Sequence, residues 1–168
     1  MASFNFGKKE TYDYLVKKFP KGSTCLDVGA CDGKWSSLLG DHFKMYAVEA
    51  FKQNADNIQD KYEEVFNIEM QKFQYEWCDC IIMGDVIEHM TPKEALYVIA
   101  YAYPRCTELV IAVPYFYAQG AMYGNPYEEH KQPDLSHEIF MERYYGFRVL
   151  LKNDGYGYYI KVESVQGI

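Results

Sequence analysis

The chain has 168 residues, 49% of them hydrophobic and 24% charged, which excludes a disordered segment and is enough for a real core. Its formal net charge of −7 argues against nucleic acid as a bulk partner, because duplex binding rests on Lys and Arg neutralising phosphates. No apolar stretch reaches the roughly 18 residues of a membrane helix, and MASFNFGKKE lacks the apolar centre of a signal peptide.

In chain order, an opening helix is predicted over about Lys8–Phe19, with Tyr12, Leu15, Val16 and Phe19 on one side and Pro20 to Gly22 as its stop. A short strand, Thr24–Val28, runs into a loop with Gly29 and Gly33, then a helix over Lys34–Leu39. A second strand, Lys44–Val48, ends in Glu49, and helical sequence follows from about Gln53 to Tyr62. A brief third strand lies near Glu64–Asn67. CDCIIM, Cys78–Met83, is a fourth, buried strand closing on Gly84 and Asp85. Pro92 opens a helix through about Tyr103, as suits proline in a first helical turn. The fifth strand is Leu109–Val113. A loop rich in Tyr, Gly and Pro leads to a helix near Ser136–Tyr144, then strands Phe147–Leu151 and Tyr158–Glu163 joined by NDGYG, a hairpin signal.

This alternation predicts an α/β fold with a largely parallel sheet between helical layers and an antiparallel hairpin at its carboxyl-terminal end. No repeat or linker interrupts it, so residues 1–168 read as one domain, with 1–22 holding the first helix and 114–135 a long loop. Cys25, Cys31, Cys78, Cys80 and Cys106 are odd in number and lack zinc-ribbon spacing, so they read as reduced thiols of a cytoplasmic protein.

Ligands of such sheets bind beyond the carboxyl ends of the strands, which directs attention to Gly29, Glu49, Asn67, Gly84-Asp85 and Pro114. Gly29 and Gly33 admit a ligand close to the backbone, and the following helix offers free N–H groups. Glu49 is suited to accept from both hydroxyls of a ribose. A dinucleotide fingerprint would need glycine where Cys31 and Lys34 stand, so a dehydrogenase is disfavoured; a bare strand–loop–helix turn is the alternative.

The segments DVGACDG (Asp27–Gly33), YAVEAF around Glu49, and GDVIEHM (Gly84–Met90), in this order, resemble the class I S-adenosylmethionine-dependent methyltransferases. The resemblance implies a three-layer α-β-α sandwich with a seven-stranded, mostly parallel Rossmann-like sheet. It implies that Asp27, Gly29, Ala30 and Gly33 shape the methionine end of a cofactor pocket and that Glu49 binds the ribose. Ala50 or Phe51 would flank the adenine, Asn67 and Ile68 (or the rival Glu69) would lie at its edge, and Gly84 and Asp85 would face the sulfonium. Cys31 departs from the glycine often found there.

Methyl transfer is an in-line displacement in which alignment supplies most of the acceleration and a base acts where the acceptor must lose a proton. Candidate catalytic residues are Asp85, His89 and His130, with Glu128 and His137 as further bases. No metal is expected. The alternative is a divalent cation on Asp85, Glu88, His89 and His130, since D-x-x-E-H is similar to the E-x-x-E-H metal site of small-RNA 2′-O-methyltransferases and ubiquinone-pathway O-methyltransferases. Tyr115, Tyr117, Tyr123 and Tyr127 either stack on an acceptor or pack on the sheet or on a second subunit, as in a homodimer. The expected function is transfer of a methyl group to O or N of a small-molecule, saccharide or protein acceptor. The rival is a non-catalytic module that binds S-adenosylmethionine or S-adenosylhomocysteine as a partner or regulatory subunit.

Overall fold

The computed structural model describes residues 6–122 and 124–162. Its apolar runs become five parallel strands, β1 Thr24–Val28, β2 Lys44–Val48, β3 Glu64–Phe66, β4 Cys78–Gly84 and β5 Cys106–Pro114. β6 Phe147–Lys152 and β7 Tyr156–Lys161 add the antiparallel hairpin, giving one seven-stranded sheet in the order β3-β2-β1-β4-β5-β7-β6. The strand order reverses at β1 and β4, the position where open sheets of this kind leave a crevice.

The central strands are buried on both faces, which explains why their sequences are continuous apolar runs rather than alternating ones. On one face Ile81, Met83, Leu109 and Ile111 pack under α4 (Pro92–Ala102) and α5 (His137–Arg143). On the other, Cys80, Ile82, Val110 and Ala112 pack under α1 (Lys8–Lys18) and α2 (Lys34–Leu39). All four of the cysteines Cys25, Cys78, Cys80 and Cys106 are buried thiols. α4 begins with Thr91 and Glu94 in a reciprocal capping box and Pro92 in the first turn.

Three elements differ from the sequence expectation by two residues or more at a boundary. The predicted helix over 53–62 is instead α3, Lys52–Asn57, followed by a 3-10 turn at Gln59–Lys61. Ile58 breaks the helix by turning inward to full burial, and Tyr62 then extends so that its hydroxyl reaches Asp27. β5 starts earlier, at Cys106, because the polar Glu108 is itself buried in the strand and accepts from the Tyr14 hydroxyl, Lys18 Nζ (2.8 Å) and the Lys161 N–H (3.1 Å). β7 begins at Tyr156 rather than Tyr158; its predicted end at Glu163 lies outside the described residues. Among the described residues, no helix is long and apolar enough to cross a membrane.

Candidate active site

The carboxyl ends of β1, β2 and β4 open onto a cavity of about 210 Å³. β1 leaves the sheet through Gly29 at φ 70°, whose N–H donates to the Val48 carbonyl at 2.8 Å. A Cβ at Gly29 would lie 2.7 Å from Val86 Cγ2, so glycine is what lets the loop after β4 lie against this turn. Cys31 follows at φ 49°, in the left-handed region that non-glycine residues seldom enter. That conformation turns its N–H onto Glu49. The Cys31 N–H donates to Oε2 at 2.9 Å and the Phe51 N–H to Oε1 at 2.8 Å. The carboxylate is thereby pinned at the cavity wall, only 6% exposed, and each oxygen keeps a second lone pair for a further donor. Burial pushes its pKa up while the two N–H bonds pull it back.

The cavity wall includes Gly29, Ala30, Glu49, Ala50, Ile68, Glu69, Gly84, Asp85 and His89 of the residues singled out in the sequence. Asp27, Gly33, Phe51 and Asn67 stand behind that wall. Asp27 is 1% exposed and accepts from Tyr62 at 2.6 Å, and burial raises its pKa to about 7. Gly33 caps α2, and the Asn67 amide donates to the Glu49 and Ala50 carbonyls at 2.9 and 3.1 Å, tying down the segment after β2.

The model of a methyltransferase domain matches residues 7–103, more than half of the chain. The chain belongs to the class I S-adenosylmethionine-dependent methyltransferases. Solved structures agree in fold. An S-adenosylmethionine-dependent methyltransferase from Clostridium acetobutylicum superposes with TM-score 0.72 at 11% identity, over 95% of this chain and 94% of that one. A TehB-like methyltransferase from Corynebacterium glutamicum gives 0.66 at 12% identity over 92% and 88%. Magnesium protoporphyrin IX methyltransferase from Synechocystis, solved with S-adenosylmethionine bound, gives 0.61 at 18% identity over 98% and 86%. At these identities the likeness concerns the fold. No curated protein matches the chain in sequence.

In this chain the segment after β4 turns sharply. Asp85 sits at φ 57°, with its N–H on the Ala112 carbonyl and its carboxylate accepting from the Tyr156 hydroxyl of β7. Burial raises its pKa, against the pull of Tyr156, Lys8, His130 and Lys34. Tyr156 falls just outside the strand predicted from the sequence and was not singled out there. Gly84 faces Trp35 of α2, and a Cβ there would lie 2.7 Å from the indole Nε1. Trp35, Lys8 and Lys34 also line the cavity and escaped the sequence reading.

Past Asp85 a 3-10 turn, Ile87–His89, carries Glu88 and His89, and the return of the long loop after β5 is stitched to it. Lys131 and Gln132 N–H groups donate to the Glu88 carbonyl at 2.8 and 3.1 Å, and the Gln132 amide donates to the Ile87 carbonyl at 2.8 Å. These bonds bring His130 edge-on to His89, ring centroids 4.6 Å apart. Glu88, His89 and His130 each offer a ligand atom within 4.8 Å of the others. Asp85 is not in this group, because its carboxylate is turned to Tyr156.

Glu88 is 1% exposed, and neither of its carboxylate oxygens has a hydrogen-bond partner among the described residues. Burial, then the nearby Asp85, hold its pKa well above the ordinary value. Burial lowers the pKa of His89 to about 4, with His130 adding to the effect, so its imidazole is neutral at pH 7. His130 Nδ1 lies 2.8 Å from the Tyr117 carbonyl, which can only accept, so Nδ1 carries a hydrogen.

The loop tyrosines divide. Tyr115 is buried with its hydroxyl 2.6 Å from that of Tyr159, and His137 stacks on the same Tyr159 ring, which removes both from the cavity. Tyr117 meets His130 edge-on, and Tyr127, with Asn125 and Glu128, forms cavity wall on the side of Glu49 and Glu69. Tyr123 lies outside the described residues.

Proposed function

We propose that this chain transfers the methyl group of S-adenosylmethionine to an oxygen or nitrogen of a small-molecule, saccharide or protein acceptor. The observation that carries the reading is the Glu49 carboxylate, pinned by two backbone N–H groups at the cavity wall with lone pairs left for a ribose diol. Ala50 and Ile68 supply apolar wall for the adenine, and the Gly84–Asp85 corner suits the sulfonium end. S-adenosylmethionine brings an activated methyl group on a cationic sulfur. With it bound, an acceptor lone pair would form the new bond to the methyl carbon as the carbon–sulfur bond breaks and its electrons stay on sulfur. The acceptor proton passes to a base at the cavity, for which neutral His89 and the Asp85 carboxylate are the candidates. Calorimetric titration is expected to give binding of S-adenosylmethionine and S-adenosylhomocysteine and none of NAD. Absence of binding by either sulfur nucleoside overturns the reading. A screen of acceptors with labelled methyl donor then identifies the substrate.

A second reading is favoured by the orphaned Glu88 carboxylate. Two imidazoles and a carboxylate are a donor set for a divalent cation, and a cation would satisfy oxygens that have no other partner among the described residues. Nδ1 of His89 lies 3.4 Å from the Glu129 carbonyl and that of His130 bonds the Tyr117 carbonyl, the outer contacts that orient ligating histidines. Mn²⁺ or Mg²⁺ is expected to bind the wild-type protein in calorimetry and to lose that binding in His89→Ala. Wild-type protein that takes up neither ion refutes the metal.

A further inference from the structure

The structure assigns to Glu128, in the long loop after β5, the recognition of the positive charge on the donor sulfur, an inference that rests on the cofactor reading above. Six carboxylates line the cavity: Asp32, Glu49, Glu69, Asp85, Glu94 and Glu128. Three of them have a lysine beside them, Asp32 with Lys34 at 3.4 Å, Glu69 with Lys72 at 2.7 Å and Glu94 with Lys131 at 3.9 Å. Glu49 is clamped by two backbone N–H groups and Asp85 by the Tyr156 hydroxyl. Glu128 is half-buried and is clamped as well. One of its oxygens accepts from the Asn125 amide and the other from the Gln119 amide, each at 3.3 Å. Both amides are themselves fixed. Asn125 is buried and accepts from the Tyr127 N–H at 2.9 Å, and Gln119 also donates to the Glu128 carbonyl at 2.8 Å. The carboxylate is thus held by neutral donors, and among the described residues no lysine or arginine pairs with it.

An ionised group fixed in a cavity wall by neutral donors keeps its charge for a ligand and favours a cationic one. Its position tells which cation. Burial is the main cause of the raised pKa values of Glu49, Cys31 and Glu88, and the charge of Glu128 adds to the rise in all three. These residues follow β2, β1 and β4 respectively, so Glu128 overlooks the middle of the cavity, between the ribose carboxylate and the His89 wall. In S-adenosylmethionine the sulfur joins the ribose to the methionine chain, so its positive charge belongs at that middle. Transfer of the methyl group leaves the electrons of the carbon–sulfur bond on sulfur and cancels the charge. Glu128 therefore holds the donor more tightly than the spent nucleoside. The loop after β5 reads the charge state of the donor as well as covering the cavity.

The experiment measures Kd for S-adenosylmethionine and S-adenosylhomocysteine by calorimetry on wild type, Glu128→Gln, Glu128→Asp and Glu129→Gln. Glu128→Gln keeps the volume and loses the charge. It is expected to weaken S-adenosylmethionine about three- to fivefold, the range of a partly exposed charge pair, and to leave S-adenosylhomocysteine within about twofold of wild type. Glu128→Asp keeps the charge and is expected to keep most of the wild-type ratio. Glu129→Gln removes the same charge one residue along, on an exposed side chain off the cavity wall, and is expected to change neither Kd. If circular dichroism shows that Glu128→Gln does not fold, Glu128→Ala is read in its place. An unchanged ratio, an equal loss of both ligands by a folded variant, or the same change in Glu129→Gln overturns the assignment. If wild type binds neither nucleoside, the cofactor reading itself fails.

Discussion

Glu49→Ala is expected to weaken S-adenosylhomocysteine by about 1–3 kcal/mol, or roughly 5- to 150-fold, with little loss of fold. The size follows from what the carboxylate does in the protein. It is a charged acceptor at a partly desolvated wall, oriented by the Cys31 and Phe51 N–H groups, so two ribose hydroxyls would meet lone pairs already aimed at them. Hydrogen bonds to a charged group are the stronger kind, and little rotamer entropy remains to be lost on binding. Glu49→Gln is the sharper control. It keeps the volume and one acceptor oxygen, and is expected to fall between wild type and the alanine variant. Isothermal calorimetry measures both, and an unchanged affinity in Glu49→Ala would remove this residue from the ribose role.

The second large effect is on stability and depends on pH. Asp27 is buried among Tyr62, Glu49, Lys8 and Asp32, and burial raises its pKa from 3.8 to about 7 in the folded protein. A carboxyl whose folded pKa is raised keeps its proton longer in the native than in the unfolded chain. Between pH 4 and 7 the unfolded state therefore binds fewer protons, and stability falls as pH rises, levelling off above 7. The expected contribution is on the order of 3–4 kcal/mol, an upper figure because each pH unit across that window is worth about 1.4 kcal/mol. Asp27→Asn removes this titration and keeps an oxygen to accept from Tyr62. Urea unfolding at pH 4.5 and pH 8 is expected to show the variant gaining on wild type by a few kcal/mol between the two conditions. A variant-minus-wild-type difference that is the same at both values would show that Asp27 is ionised throughout.

The strands were legible because parallel strands covered on both faces must be continuous apolar runs. TCLDV and CDCIIM announce themselves, and the strand-end rule then leads straight to Glu49 and Gly84. β5 was read short because Glu108 looks like a surface residue; nothing local says that Tyr14, Lys18 and the β7 backbone will satisfy it. The helix over 53–62 failed for the same reason, since Ile58 and Tyr62 obey tertiary demands that the helical periodicity does not record. Around the site, two of the missed residues come from far along the chain. Lys8 and Tyr156 belong to the first helix and the last strand, and only the strand order 4-5-7 brings Tyr156 onto Asp85. The D-x-x-E-H spacing suggested Asp85 beside Glu88 and His89, with a histidine of the later loop completing the set. The chain turns instead through φ 57° at Asp85, which separates that carboxylate from Glu88, His89 and His130.

Cys31, where the family resemblance suggests glycine, holds a left-handed backbone and gives its N–H to Glu49. Trp35 has a different consequence. The chain contains two tryptophans, and Trp77 is 57% exposed whereas Trp35 is 6% exposed in the cavity wall, with Lys8 above its ring and Gly84 against its indole nitrogen. Their emission separates by environment, red-shifted for the solvated ring and blue-shifted for the enclosed one. Occupancy of this end of the cavity is therefore expected to change the blue part of the intrinsic fluorescence, which would give an optical readout without a label.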